Sequence, residues 1–218
     1  MPVIDEDGKT VDYMEILERA IHAGYESVMV DGSRLPLEEN IRVTRDVVQL
    51  AHECNVPVEA ELGAVLGHEA GPLPPYEELF ESGKGFTDVA EATRFVNESR
   101  VDWLSVAIGN VHGAISAARK QKKIAARLNI ERLRALREAT NVPLVLHGGS
   151  GIRKQYVIEA IHHGIAKINV GTAIRQPYEK LKDQDPEKAL QAVYTTTCQL
   201  LQDELELAGS ADLLHPLG

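Results

Sequence analysis

Two pairs of internal repeats constrain the fold of this chain more than any other feature. Residues 55–63, NVPVEAELG, align with residues 141–149, NVPLVLHGG, and residues 20–24, AIHAG, align with residues 160–164, AIHHG. The first pair covers two strand-like runs, and each copy of the second pair lies at the end of a predicted helix and is followed by a strand-like run. Strands that alternate with helices in this way predict a parallel α/β sheet. Repeated strand–helix units favour a (β/α)₈ barrel over an open sheet, although such echoes also arise by chance in α/β proteins.

The number of predicted strands is smaller than a closed barrel requires. Eight strands and typically about 250 residues make up that fold. The clear strand-like segments are 27–30, 56–62, 103–108, 142–146 and 165–170, with at most a sixth at 2–4. The predicted helices are 12–23, 38–54, 88–97 with Thr87 as its N-cap, 129–139, 154–163 and 187–207. We therefore expect residues 1–218 to form a single α/β domain of the TIM-barrel type that is incomplete, with the first two or three strand–helix units missing before residue 1.

Composition excludes several classes of function. The 218 residues are 44% hydrophobic and carry a formal net charge of -10, which argues against nucleic acid or an anionic membrane as the main partner. There is no apolar run of membrane-spanning length and no signal-peptide pattern, so a cytoplasmic protein is predicted. Cys54 and Cys198 are far apart, which argues against a disulfide framework and predicts two buried apolar side chains.

Two histidines follow apolar strands directly. His112 ends the run VAIGNVHG (106–113), and His147 ends LVLHGGSG (144–151) about one strand–helix unit later. The carboxyl ends of neighbouring parallel strands carry the chemistry of a barrel, and neutral imidazole is a preferred zinc ligand. A shared metal is one reading of this pair; the other is that both rings only pack or form hydrogen bonds.

Two glycine-rich turns predict a phosphate site. Residues 147–151, HGGSG, and 169–172, NVGT, each connect a strand to a helix start. Backbone N–H groups at such turns bind anions, and Ser150 adds a hydroxyl donor. The alternative is that glycine is needed only for tight turns.

Three glutamates form an acidic group near these turns. Glu59 and Glu61 share one face of a strand because side chains alternate with period two. Glu69 lies in the Gly- and Pro-rich segment 64–85, which predicts either a mobile loop over a site or an ordinary solvated surface.

Four motifs, in this order, resemble the class II ketose-bisphosphate aldolase family over residues 10–210. They are MVDGS (29–33) followed by LEEN (37–40), VEAELG (58–63) followed by Gly67 and Glu69, AIGNVHG (107–113), and LHGGSG (146–151). Leu66 departs from the glycine or methionine usual at its position. The resemblance implies reversible aldol cleavage of fructose or tagatose 1,6-bisphosphate to dihydroxyacetone phosphate and glyceraldehyde 3-phosphate. It implies Zn²⁺ as cofactor, with a monovalent cation as an open addition.

The resemblance also implies roles for individual residues. His112 and His147 are implied as zinc ligands, with Glu61 and Asp31 as acidic residues near the metal. Glu69 is the implied acid/base on a mobile loop. The implied phosphate-binding residues are Gly113, Gly148, Ser150, Asn169, Gly171 and Thr172, with Arg175 reaching the far phosphate of the phosphorylated ketose substrate. Gly171 stands where many members have aspartate. A homodimer or higher homo-oligomer is expected.

One departure leaves alternatives open. Members of the family carry His-x-Asp-His-Gly after the third strand, whereas residues 2–8 read PVIDEDG, with Asp7 at the position of the last histidine. A zinc site with two histidines and Asp7 is one possibility. The chain is otherwise expected to be a fragment of an active enzyme or a non-catalytic homologue that retains sugar-phosphate binding.

Overall fold

A computed structural model describes residues 4–6, 9–65, 75–111 and 126–213. The strands are β1 Ile4–Glu6, β2 Lys9–Val11, β3 Val28–Val30, β4 Val58–Leu62, β5 Trp103–Val106, β6 Leu144–Leu146 and β7 Ile165–Ile168. The helices are α1 Tyr13–His22, α2 Leu37–His52, α3 Tyr76–Ser82, α4 Val89–Ser99, α5 Ile130–Thr140, α6 Lys154–His162, α7 Thr172–Leu181 and α8 Pro186–Gln199. A π-helical turn, Leu200–Glu204, and a 3₁₀ turn, Ser210–Leu213, follow α8.

Five of these strands form one all-parallel sheet in chain order, β3-β4-β5-β6-β7. Helices connect successive strands, as the alternation in the sequence predicts. Strand order that follows chain order is the arrangement of a (β/α)₈ barrel, so the fold is α/β of the TIM-barrel type with five of the eight strands within the described residues.

Helix boundaries follow ordinary capping chemistry. The side chains of Asp12, Asp88, Asn129 and Asp185 accept hydrogen bonds from backbone N–H groups in the first turns of α1, α4, α5 and α8. α4 and α5 each end at a residue in the left-handed conformation, Arg100 and Asn141.

The hydrophobic core lies between the sheet and its helices. One face of β4 contributes Val58, Ala60 and Leu62 to this core, and Phe95 of α4 is completely buried against it. Glu59 and Glu61 consequently lie on the opposite face of β4, because successive side chains of a strand point to opposite sides of the sheet.

Several expectations from the sequence need correction. Of the predicted strand at residues 2–4, only Ile4 lies within the described residues, and it belongs to β1, which pairs antiparallel with β2 in a hairpin separate from the parallel sheet. Asp88, not Thr87, caps α4. Part of segment 64–85 is helical, since α3 begins at Tyr76. The helix at 187–207 is α8 followed by the π-helical turn. Cys54 is exposed rather than buried. No helix among the described residues has the length and apolarity to cross a membrane.

Candidate active site

The candidate site lies on the face of β4 opposite the hydrophobic core and at the carboxyl end of β6. Glu59 and Glu61 are 2% and 4% exposed. His147, the residue after β6, is 8% exposed and lies between them. Its Nε2 lies 2.8 Å from Oε1 of Glu59, and its Nδ1 lies 2.9 Å from Oε2 of Glu61. The imidazole is therefore held on both sides by buried carboxylates, in the part of the sheet where the internal repeat aligns Glu61 with His147.

These contacts change the pKa values of all three groups. Burial disfavours the charged imidazole, yet the hydrogen bonds to the two glutamates outweigh it and raise the pKa of His147 from its ordinary 6.5 to about 9. Burial also raises the pKa of Glu61, and the nearby negative charge of Asp31 adds to that effect. For Glu59, burial acts upward as well, but hydrogen bonds from His147 and Lys167 hold the pKa of its carboxyl below the usual value.

Two further side chains complete the cluster. Lys167 of β7 places its Nζ 2.6 Å from Oε2 of Glu59. The hydroxyl of Ser105, which is completely buried on β5, donates to Oε2 of Glu61 over 3.3 Å. Glu59 thus bridges an imidazole and an ammonium group, whereas Glu61 meets an imidazole and a neutral hydroxyl.

Buried asparagines fix the backbone around these residues. Nδ2 of Asn40, on α2, donates to the backbone carbonyl of Glu61 over 3.0 Å. Nδ2 of Asn110 donates to the backbone carbonyl of His147 over 3.0 Å. A Cβ on Gly32 would lie only 2.1 Å from Oδ1 of Asn40, so glycine leaves room for this asparagine. The backbone at Glu61 and His147 is therefore fixed by side chains from outside their own strands.

The predicted phosphate turns lie next to one another. The backbone N–H of Gly149 donates to the carbonyl of Asn169 over 2.9 Å. Ser150 is buried, and its Oγ accepts a hydrogen bond from the N–H of Ala173 in the first turn of α7. Gly148 has φ 67, in the left-handed region. The described structure thus brings both turns and the start of α7 together.

Three other predicted phosphate residues lie at or near the start of α7. Gly171 is the N-cap of this helix and Thr172 its first residue. The amino end of a helix presents backbone N–H groups suited to an anion. A Cβ on Gly171 would meet no atom within 4 Å, so there is open space beside this residue. Arg175 is exposed and lies 2.9 Å from Glu179 of its own helix.

Four predicted residues lie outside the described part of the chain. These are Asp7, Glu69, His112 and Gly113. Within the described ranges, no group of three or more His, Cys, Asp or Glu side chains could hold a metal ion. The donor types around His147, one imidazole and two carboxylates, are nevertheless those that zinc accepts. Zinc binding here would require ligands from outside the described ranges, and His112 is the predicted one.

Sequence reasoning missed Lys167, Asn40 and Asn110 as site residues. The sequence does contain one indication for Lys167: a lysine within a short apolar strand suggests an acidic partner nearby, because burying its charge without one is costly. Asn40 and Asn110 lie within motifs that were recognised, but no pattern in the sequence shows that they bind the backbone of distant strands.

Comparison with known proteins identifies the family of the chain. Residues 8–213 match the family described as "Fructose-bisphosphate aldolase class-II". The chain belongs to this family.

The individual relatives are aldolases by name. The chain is 41% identical over 173 residues to the 6-phospho-5-dehydro-2-deoxy-D-gluconate aldolase of Halalkalibacterium halodurans, covering 79% of the chain and 54% of that protein. It is 42% identical over 159 residues to the protein of the same name from Shouchella clausii, covering 73% of the chain and 49% of that protein. The crystal structure of the YdjI aldolase from Escherichia coli K12 superposes with a TM-score of 0.68 at 34% identity, covering 90% of the chain and 66% of that structure. The chain spans about half the length of the curated relatives it matches.

Proposed function

We propose that this chain belongs to a zinc-dependent aldolase that cleaves a phosphorylated keto sugar to dihydroxyacetone phosphate and an aldehyde. The observation that carries the proposal is the position of His147 between Glu59 and Glu61, beside two turns suited to phosphate. A buried imidazole among carboxylates suits a divalent cation, and an adjacent helix start suits an anion. Family membership supports the reaction class.

The proposed roles divide between metal and substrate. His147 and Glu61 would hold zinc together with His112, and zinc would supply Lewis acidity that stabilises an enediolate. The N–H groups around Gly148, the hydroxyl of Ser150 and the start of α7 would bind the phosphate. These contacts orient the ketone toward His147. Glu69 would move the proton, and Gly113 and Arg175 stay proposed phosphate contacts.

The names of the relatives favour one substrate. In 6-phospho-5-dehydro-2-deoxygluconate the ketone is at C5 and the phosphate at C6, so aldol cleavage breaks the bond between C3 and C4. The C4–C6 fragment is dihydroxyacetone phosphate, and the C1–C3 fragment is 3-oxopropanoate. Fructose and tagatose 1,6-bisphosphate release the same phosphorylated fragment, so the phosphate site is common to all three. At 41% and 42% identity the relatives favour the sugar acid, and the bisphosphates stay predictions.

The test is an aldolase assay on the three substrates. Dihydroxyacetone phosphate is measured with glycerol-3-phosphate dehydrogenase and NADH, with added zinc, with EDTA, and with sodium or potassium for the monovalent cation. We expect EDTA-sensitive cleavage, fastest with the sugar acid. The His147→Gln variant should be inactive. His52→Gln is a matched control, because His52 also contacts a carboxylate, Asp102 at 2.9 Å, but at the amino ends of β4 and β5.

The outcomes separate the alternatives. Cleavage by His147→Gln at the rate of His52→Gln would contradict the proposed metal site. Folded, zinc-loaded protein without cleavage but with dihydroxyacetone phosphate binding would favour the non-catalytic homologue. The proposed homo-oligomer is checked in parallel by sedimentation velocity on the same preparation.

A further inference from the structure

A register irregularity between β6 and β7 changes the face on which Lys167 lies. Leu144 pairs with Ile165, but the next pair is Val145 with Lys167, so Ala166 is an extra residue in β7. Ile165 and Ile168, three residues apart, both pack against the core. In a regular strand Lys167 would share the face of Ile165, because residues two apart point to the same side. The bulge instead turns Lys167 to the face that carries Glu59.

Lys167 there forms the outer end of a chain of polar contacts. Its Nζ lies 2.6 Å from Oε2 of Glu59, and Oε1 of the same carboxylate lies 2.8 Å from Nε2 of His147. Both carboxylate oxygens are therefore occupied, and the 2% exposure of Glu59 leaves almost no access to water. A buried carboxylate held at both oxygens has one orientation, and it imposes that orientation on the imidazole.

The two ring nitrogens of His147 consequently differ in their surroundings. Nε2 meets Glu59, and Nδ1 meets Glu61 at 2.9 Å. Glu61 is two residues closer to the carboxyl end of β4, where active sites of this fold open. In metal sites a histidine ligand commonly donates its second N–H to a carboxylate, which fixes the ring and the tautomer.

We propose that Lys167 is a positioning residue that acts through Glu59 to hold Nε2–H of His147, so that Nδ1 is the nitrogen directed toward the metal. This inference rests on the proposed function, which it deepens by naming the outer ligand support. Under this proposal the bulge in β7 directs Lys167 toward Glu59, as β-bulges beside active sites commonly redirect a side chain.

The experiment compares Lys167→Met, Lys167→Arg and Lys154→Met with the wild-type chain. Lys154 is the matched control, because its ion pair with Glu206 has a similar exposure, 47% against 44% for Lys167, and does not involve His147. Two quantities are measured: zinc affinity by competition with a chromophoric chelator, and the Nε2–H resonance of His147 in ¹⁵N-histidine-labelled, metal-free protein. Thermal unfolding of every variant reports folding.

The expected result is specific to the charge at residue 167. Lys167→Met should weaken zinc binding by about 10- to 100-fold and shift or broaden the Nε2–H resonance, since loss of an outer-shell partner has an effect of that size. Lys167→Arg should restore most of both, and Lys154→Met should change neither. If Lys167→Met lowers only the melting temperature, or if Lys154→Met has the same effects, the proposal is wrong. If the wild-type protein has no measurable zinc affinity, the proposal is judged only by whether Lys167→Met shifts or broadens the Nε2–H resonance of His147.

These readouts do not depend on cleavage. A chain that cleaves none of the three sugars but loses zinc affinity in Lys167→Met would support the positioning role and refute the proposed activity. If the wild-type chain cleaves normally and Lys167→Met keeps wild-type zinc affinity and the wild-type Nε2–H resonance, the proposed activity is supported and the positioning role is refuted.

Discussion

Gly149 allows the two phosphate turns to approach each other, and Gly149→Ala tests that approach. An added Cβ would lie 2.7 Å from Cγ2 of Ile168, 3.0 Å from the carbonyl oxygen of Asn169 and 3.2 Å from Cγ2 of Val170. The φ angle of Gly149 is not in the left-handed region, so the cost is steric rather than conformational. The turn that begins with Asn169 would have to move.

The magnitude follows from two losses and one gain. Overpacking costs about 1–3 kcal/mol, and weakening the hydrogen bond from Gly149 N–H to Asn169, now 2.9 Å, costs about 0.5–1.5 kcal/mol. Alanine restricts the unfolded chain and offsets about 0.4–1 kcal/mol. We expect the free energy of unfolding to fall by about 0.5–4 kcal/mol. Displacement of Ser150 should weaken dihydroxyacetone phosphate binding by up to about tenfold, the equivalent of one hydrogen bond.

The assay is urea unfolding followed by circular dichroism, with binding measured by calorimetry. Gly171→Ala is the stability control, because its Cβ meets nothing within 4 Å and its φ of -118 suits any residue. That variant should be about as stable as wild type, because the loss of a favourable N-cap glycine offsets the restriction of the unfolded chain. Equal unfolding free energies for the two alanine variants would refute the reasoning, because they would show that the turns are not in close contact.

Three further predictions concern single residues. Thr87→Val should lower the free energy of unfolding by about 2–4 kcal/mol, because the buried hydroxyl donates to one backbone carbonyl at 2.6 Å and accepts from a backbone N–H at 2.8 Å. The control in urea unfolding is Asp88→Ala, a helix-cap change of about 1 kcal/mol. A loss for Thr87→Val no larger than that of the control would contradict the prediction. Phe95→Ala should cost about 3–5 kcal/mol through cavity formation, against no more than about 0.5 kcal/mol for Tyr194→Ala, which is 67% exposed; similar losses would place Phe95 outside the core. Zinc binding at pH 7 should release a proton from His147, whose pKa of about 9 keeps its ring charged in metal-free protein, so zinc affinity should rise from pH 6 to pH 8. Titration with zinc in weakly buffered solution measures the released proton. A zinc affinity that does not depend on pH would contradict the prediction.

The fold could be predicted from the sequence because its signal is distributed over many residues. The five strands of the parallel sheet and six helices, α1, α2, α4, α5, α6 and α8, follow from the apolar pattern, and Asn129 was correctly predicted as a cap. Two errors, the N-cap of α4 and the missed helix α3, have local causes. Asp88 accepts the helix N–H, while Thr87, one residue earlier, bonds to the neighbouring strands. α3 was hidden by the Gly- and Pro-rich composition around it, although Gly83 at its C-cap, with φ 62, is a usual stop signal.

The site was only partly predictable for a different reason. Period-two alternation placed Glu59 and Glu61 on one face, and the internal repeat placed Glu61 and His147 at equivalent strand ends. Both inferences need only regular strands. Lys167 lies on the same face of the sheet as Glu59 because of the bulge in β7, and no local sequence pattern predicts one extra residue in a strand. Contacts that depend on such an irregularity can be found only in three dimensions.

The charges around His147 are balanced when its imidazole carries a proton. The buried carboxylates Glu59 and Glu61 carry two negative charges when ionised, against two positive charges on Lys167 and the imidazolium, while Asp31 is exposed. The pKa of Glu61 is raised despite its hydrogen bond to His147, chiefly because its carboxyl is buried and further because the negative charge of Asp31 lies nearby. A divalent cation that replaces the imidazolium proton would keep the two buried carboxylates paired with positive charge while leaving the contact between Lys167 and Glu59 intact. The metal-free cluster is thus held together by a proton in the position that, under the proposed function, the metal would occupy.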